Sequence, residues 1–141
     1  MVFRILVIFV LAFNLYSCSK DEIVFEPTKK KDPYLIYKEG YKAFEKNDFF
    51  FASKKFAEAE IGFGEPSLSA KSAIMSSFCL YSINFYEEAV ESLNRFLKTY
   101  PADKNAIYAH YLLSLIYFEQ IAGEKHDLKP LLEAKKNLIF F

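Results

Sequence analysis

Residues Phe85–Pro101, FYEEAVESLNRFLKTYP, decide how the rest of the chain is organised. Ala89, Leu93 and Phe96 recur at steps of four and three, which places them on one face of a helix. Pro101 ends that helix, because the residue before a proline is pushed out of the α region. The same pattern stands upstream in FFFASKKFAEAEIGFGEP, with Ala52, Phe56 and Ala59 at matching steps and Pro66 after them. Ala52 and Ala89 lie 37 residues apart, and Gly40 lies 12 residues before Ala52. A period in the thirties predicts stacked helical hairpins.

The 141 residues suffice for one domain. A chain that is 52% hydrophobic and 18% aromatic, with four glycines, is not a disordered one. Basic and acidic residues balance at 18 each, and removing residues 1–17 takes away only Arg4. A near-neutral chain without a basic stripe does not suit nucleic-acid binding. The two cysteines, Cys18 and Cys79, form no CxxC and no metal-ligand spacing, so neither a disulfide framework nor a zinc site is expected.

Arg4 precedes a continuous apolar run, Ile5–Phe13. Nine such residues fall short of the roughly 20 that cross a bilayer. They suit the apolar region of a signal peptide over residues 1–17. The next residues, Leu15-Tyr16-Ser17-Cys18, resemble the bacterial lipobox. That resemblance implies cleavage before Cys18 by signal peptidase II and acylation of the cysteine, palmitate among the chains. Leu15, Ser17 and Cys18 match the pattern, and Tyr16 departs from it, standing where a smaller residue is usual. The alternative is an uncleaved apolar anchor with an incidental cysteine. Three acyl chains, at ~0.8 kcal/mol per buried CH₂, hold a protein on a membrane far better than one. By resemblance to Gram-negative lipoproteins, Ser19 in place of aspartate after the cysteine implies export to the outer membrane. Residues 18–32 read as the lipidated cysteine and a flexible tether. Within them, Lys29-Lys30-Lys31 is either a solvated stretch or a contact for anionic headgroups. Asp32-Pro33 then supplies an N-cap and a proline at the first helical position, opening a helical domain over 33–141.

The first hairpin pairs a helix over about 33–46 with one over about 49–61, across Asn47-Asp48. Its first helix carries two stripes: Tyr34, Tyr37, Tyr41 and Phe44 on one, Ile36, Gly40 and Ala43 on the other. The second hairpin pairs about 67–82 with 85–100 across Ile83-Asn84, with Ser77 in the glycine position. The third begins near Asn105 and crosses a longer loop, residues 122–127. It ends in LKPLLEAKKNLIFF, where Ala134, Leu138 and Phe141 repeat the earlier spacing. An array of this kind closes on a polar outer face, whereas these last residues are Leu138-Ile139-Phe140-Phe141. Either further repeats follow or a partner covers the last helix, and the chain is expected to be the N-terminal part of a longer array.

Neither a Gly-rich phosphate loop, nor GxSxG, nor HExxH is present. His110 falls inside a helix, and His126-Asp127 lies in a loop with no nucleophile near it in sequence. Cys79, within a helix, reads as a small buried hydrophobe. The protein is expected to be no enzyme and to use no cofactor or metal.

The Gly, Ala, aromatic, Ala and Pro steps resemble the tetratricopeptide (TPR) repeat, which implies an all-α solenoid of about three hairpins. The helix ending in Thr99-Tyr100-Pro101, the following helix with Tyr108 and Tyr111, and the stretch with Asp127 and Lys129-Pro130 resemble the BamD family of outer-membrane assembly lipoproteins. That resemblance covers about Cys18–Phe141, the N-terminal part of the family's array. It implies a periplasmic scaffold, anchored by lipid to the outer membrane, that binds unfolded barrel precursors. Implied partners are the barrel-forming subunit of the assembly complex and its other lipoproteins. A TPR lipoprotein of pilus assembly or the Tol-Pal system is the alternative. An envelope enzyme acting on peptidoglycan would need a carboxylate pair or metal triad that the sequence does not offer. In TPR stacks the concave groove is lined by the first helix of each hairpin. Setting Gly40, Ser77 and Ser114 as equivalents places Tyr34, Tyr37, Tyr41 and Phe44 there, then Ile74, Phe78 and Tyr81, then Tyr108, Tyr111, Leu115 and Phe118. The alternative is that these rings only fill space between hairpins.

If Cys18 is the acylated residue, Cys18→Ala blocks labelling by radioactive palmitate and leaves a precursor heavier by its signal peptide. Label retained by the variant overturns the assignment.

Overall fold

The computed structural model describes residues 31–121 and 128–139. Among them are six helices: α1 Pro33–Glu45, α2 Phe49–Gly62, α3 Pro66–Ser82, α4 Tyr86–Thr99, α5 Ala106–Ile121 and α6 Leu128–Leu138. The fold is all-α and TPR-like. Consecutive helices pack as hairpins, α3 also touches α5, and Phe44 of α1 meets Phe78 of α3 at 5.9 Å.

Local sequence explains where each helix starts and stops. The Asp32 carboxylate accepts from the Tyr34 N–H at 3.0 Å and caps α1, with Pro33 at its first position. Asp48 caps α2 in the same manner through the Phe51 N–H at 3.2 Å. Both turns inside hairpins are the same device. Asn47 (φ 60°) and Asn84 (φ 61°) take the left-handed conformation that asparagine tolerates. The next N–H, of Asp48 or Phe85, reaches back to the Ala43 or Leu80 carbonyl at 2.9 and 3.0 Å. This is a Schellman motif repeated at the same point of two hairpins.

The core follows the small-residue pattern. Ala52, Phe56, Ala59, Ala89, Leu93 and Phe96 are all fully buried. Ile36, Gly40 and Ala43 are the buried residues of α1, and Ala43 packs with Ala52 and Phe56. A Cβ added at Gly40 would stand 3.1 Å from Lys55 Cβ and 3.2 Å from the Phe56 ring, so α1 and α2 approach closely at a point where a side chain would be tight. In the second hairpin the glycine position is Ser77. Its hydroxyl bonds to Ser92 Oγ of α4 at 2.7 Å, a polar contact in place of a bare backbone. Cys79 completes the core between α1, α2 and α3.

Two expectations are corrected. In α6, Ala134 is buried but Leu138 is 55% exposed, and Asn137 takes the inward position. The physical reason is a polar contact, Asn137 Oδ1 to His110 Nδ1 at 2.8 Å, which fixes the face that α6 turns to α5. Ile74, expected in the groove, belongs instead to the core between α3, α4 and α5. The loop over 122–127, residue Phe141 and all calls on residues 1–30 lie outside the described residues.

Hairpins one and two are joined by a clamp that the helical spacing does not reveal. Glu60 of α2 is buried, and its carboxylate receives Arg95 Nη1 and Nη2 of α4 at 2.6 and 2.7 Å and the Tyr100 hydroxyl at 3.1 Å. A bidentate pair of this kind fixes orientation as well as charge. Arg95→Ala leaves the buried carboxylate short of donors and should lower unfolding stability by ~1–3 kcal/mol. The double variant Glu60→Leu/Arg95→Leu should recover part of that loss, because it leaves no buried charge. Urea denaturation of both variants checks this; an unchanged midpoint for Arg95→Ala overturns it.

Candidate functional site

Helices α1, α3 and α5 carry the expected aromatic residues, and the structure sorts them into groups. Tyr41 and Phe44 of α1 have ring centroids 6.2 Å apart, and Phe44 meets Phe78 of α3 at 5.9 Å. Phe78 meets Tyr81 at 6.4 Å, and Tyr81 meets Tyr86 at 6.1 Å. On α5, Tyr108 and Tyr111 pair at 6.2 Å. Electrostatics ties the last two groups: burial raises the Tyr108 phenol above its ordinary value, and Tyr111 and Tyr81 raise it further. Tyr81 is raised by burial first, then by Glu119, Tyr86 and Tyr111. Rings thus run in contact, as a wall, from Tyr41 through Phe44, Phe78 and Tyr81 to Tyr86, and Tyr108 and Tyr111 form a further pair on α5.

Tyr34 and Tyr37 are turned to another neighbour. Tyr34 packs edge-on to Phe63 at 5.0 Å, and Tyr37 lies 5.1 Å from the buried Phe56 ring and 6.3 Å from Phe63. Lys71 Nζ sits over the Tyr37 ring at 5.5 Å. Phe63, just past the end of α2, was not among the expected groove residues; its signal was the Gly62-Phe63-Gly64 link, an aromatic between two glycines. Gly62 brings that link against Pro33, whose Cβ would stand 2.9 Å from a Cβ at position 62. Phe118 is 64% exposed and has no ring partner among the described residues. Leu115 packs as a half-buried residue against the core of the second and third hairpins. Tyr86, the end of the ring chain on α4, was also unforeseen, since it sits on the second helix of its hairpin.

The wall is half wet. Tyr41, Tyr108 and Tyr111 are between 39% and 45% exposed, whereas Phe44, Phe78 and Tyr81 are half-buried between them. Such rings offer apolar area while their hydroxyls stay in reach of water. No group of three or more His, Cys, Asp or Glu among the described residues could hold a metal ion.

A family model described as outer membrane lipoprotein, YfiO, matches residues 29–140. The chain belongs to the YfiO (BamD) family. It is similar to outer membrane protein assembly factor BamD of Caulobacter vibrioides, 30% identical over 111 residues, which make up 79% of this chain and 35% of that protein. It is also similar to the protein of that name from Rickettsia prowazekii, 29% identical over 92 residues, 65% of this chain and 37% of that one. The chain thus spans about a third of the length of these curated BamD relatives. No solved structure matches it.

The wall and the core share one response to alkali. Burial pushes the Cys79 thiol from its ordinary 9.0 up to about 12, and raises the Tyr37, Tyr81 and Tyr108 phenols above 10.0. Each folded group keeps its proton where the unfolded chain gives it up, so stability is full below the unfolded values and falls as pH rises through the folded ones. The melting temperature should be level from about pH 7 to 9 and drop beyond about pH 10. Tyrosinate absorbance should rise together with unfolding. A melting temperature that stays level to about pH 11 overturns this.

Proposed function

We propose that this protein serves outer-membrane protein assembly as a non-enzymatic helical scaffold. In this reading Cys18 carries the lipid that holds it on the periplasmic side of the outer membrane. The aromatic wall receives segments of unfolded barrel precursors, and the barrel-forming subunit and other lipoproteins of the complex are the partners. The family description and the names of both relatives support outer-membrane association and a part in assembly.

One observation carries the choice of client. Successive rings from Tyr41 through Phe44, Phe78 and Tyr81 to Tyr86 are spaced between 5.9 and 6.4 Å. In an extended chain, side chains on one face recur every second residue, at ~6.6 Å. A strand with alternating apolar residues therefore presents its side chains at nearly the interval of the wall. Barrel strands alternate in this way, because one face meets lipid and the other the lumen.

A labelled peptide of alternating apolar and polar residues closed by phenylalanine should bind weakly to the full chain. Tyr111→Ala should weaken it by ~1–2 kcal/mol, the range of interface aromatics. Tyr37→Ala, which removes a ring packed on Phe56, should act chiefly on stability. Fluorescence anisotropy reads the binding and circular dichroism checks that each variant folds. Equal affinity for the scrambled peptide, or for Tyr111→Ala and wild type, overturns the reading.

A further inference from the structure

Tyr34 and Tyr37 share a helical stripe with Tyr41 and Phe44, yet only the latter two join the wall. The first two hold a ring from elsewhere in the chain. Phe63 stands edge-on to Tyr34 at 5.0 Å and lies 6.3 Å from Tyr37, separations at which aromatic pairs attract. Phe63 therefore shows what kind of group these two tyrosines accept: an aromatic side chain. The place it fills continues the wall, since Tyr37 is four residues from Tyr41, a rise of about 6 Å along α1.

The place is built without Phe63. Tyr37 rests on the fully buried Phe56 at 5.1 Å, and Lys71 Nζ of α3 lies over its ring at 5.5 Å. Tyr37 thus keeps its position whichever ring lies beside it, and the capped first turn of α1 fixes the backbone of Tyr34. Phe63, by contrast, is only half-buried and comes from the link between two hairpins. Its N–H is tied to the Ala59 carbonyl at 3.0 Å, whereas its carbonyl receives Ser69 Oγ at 3.4 Å, a long contact. Its neighbours are Gly62 and Gly64, and a Cβ added at Gly64 would meet nothing within 4 Å. Open space borders the link there. Rotation about the Cα–Cβ bond can carry the Phe63 ring off Tyr34 while the backbone hydrogen bond to Ala59 stays.

We propose that Phe63 is an autoinhibitory contact, a stand-in for an aromatic side chain of the bound segment, and that the segment displaces it to reach Tyr34 and Tyr37. The exchange replaces one ring pair by another, so the free protein keeps its tyrosines covered. A segment with an aliphatic residue at that point has no equal pair to offer and gains nothing by displacing Phe63. This inference rests on the reading of the wall as a peptide site and adds to it which residue of the segment the end of the wall selects.

The probes are the alternating peptide closed by phenylalanine and the same peptide closed by leucine, titrated into the full chain. Phe63→Ala should tighten the phenylalanine peptide at least threefold and the leucine peptide less. Tyr34→Ala in the Phe63→Ala background should abolish that gain; Tyr34 is 59% exposed, so its loss leaves the core intact. The chain has no tryptophan, so Phe63→Trp sets a single reporter on the exchanging ring. Its emission should move to longer wavelength as the unlabelled phenylalanine peptide sends the indole into water, and the leucine peptide should leave it in place. Melting curves confirm that the variants fold. Equal affinity of wild type and Phe63→Ala, or an emission that stays put while the peptide binds, overturns the exchange and leaves the wall standing. Absence of binding to wild type and Phe63→Ala alike overturns the wall as well.

Discussion

The structure depends on how closely two helices of a hairpin can approach. Phe56 is fully buried, and its ring lies 3.2 Å from where a Cβ at position 40 would stand. A hairpin built this way has a large aromatic on one helix and almost nothing opposite it on the other, so the interhelical distance is set by backbone and ring. The second hairpin solves the same problem with Phe96 and Leu93 on α4 and alanine and serine on α3. Close approach has a consequence for the surface. With Ile36, Gly40 and Ala43 buried against its partner, α1 turns Tyr34 and Tyr37 to the end of α2, and Tyr41 of the same stripe stays half exposed.

Helix α3 lies at the centre of this arrangement, packed by α2 on one side and α4 on the other. Its buried residues include Ser69, Ser72, Ser76 and Ser77, a polarity that a core tolerates only when every hydroxyl has a partner. Ser72 and Ser77 donate to the carbonyls of Leu68 and Ala73, one turn back on their own helix. Ser76 donates across to the Ser53 carbonyl of α2 at 2.9 Å. No buried side-chain nitrogen or oxygen among the described residues lacks a partner. Serine therefore acts here as a slightly larger glycine that also bonds, and it lets three helices stack tightly without an apolar surplus.

The helices and their core were legible because they rest on local rules. Steps of three and four place Ala89, Leu93 and Phe96 together whatever surrounds them, and the asparagine turns and aspartate caps act within a few residues. What was not legible depends on partners far away in sequence. Glu60 and Arg95 are 35 residues apart, close to the repeat period, and each alone reads as an exposed charge. Tyr34 and Tyr37 sit in register with Tyr41 and Phe44, yet Phe63 draws them off because the Gly62 turn folds it back beside α1. The face of α6 was misplaced because hydrophobic spacing ranked Leu138 above Asn137. A single hydrogen bond to His110 outweighs that ranking, since Asn137 buried without it would be costly.

The two faces of α5 differ in chemistry, Tyr108 and Tyr111 on one and His110 and Tyr117 on the other. Its residues are apolar or aromatic on nearly every side, so no single amphipathic stripe marks its orientation. Leu112, Leu113 and Ile116 are sealed in the core, which holds the helix rigid between α4 and α6. Tyr108 and Tyr111 then project on the side shared with α3, and His110 and Tyr117 line a polar cleft between α4, α5 and α6. Since the core residues fix the rotation of α5, a change that turned it would disturb the ring wall and the polar cleft together. A surface change such as one at Lys136 would reach the cleft alone. A buried core thus places the ring-bearing face and the polar face of α5 rigidly on opposite sides of one helix.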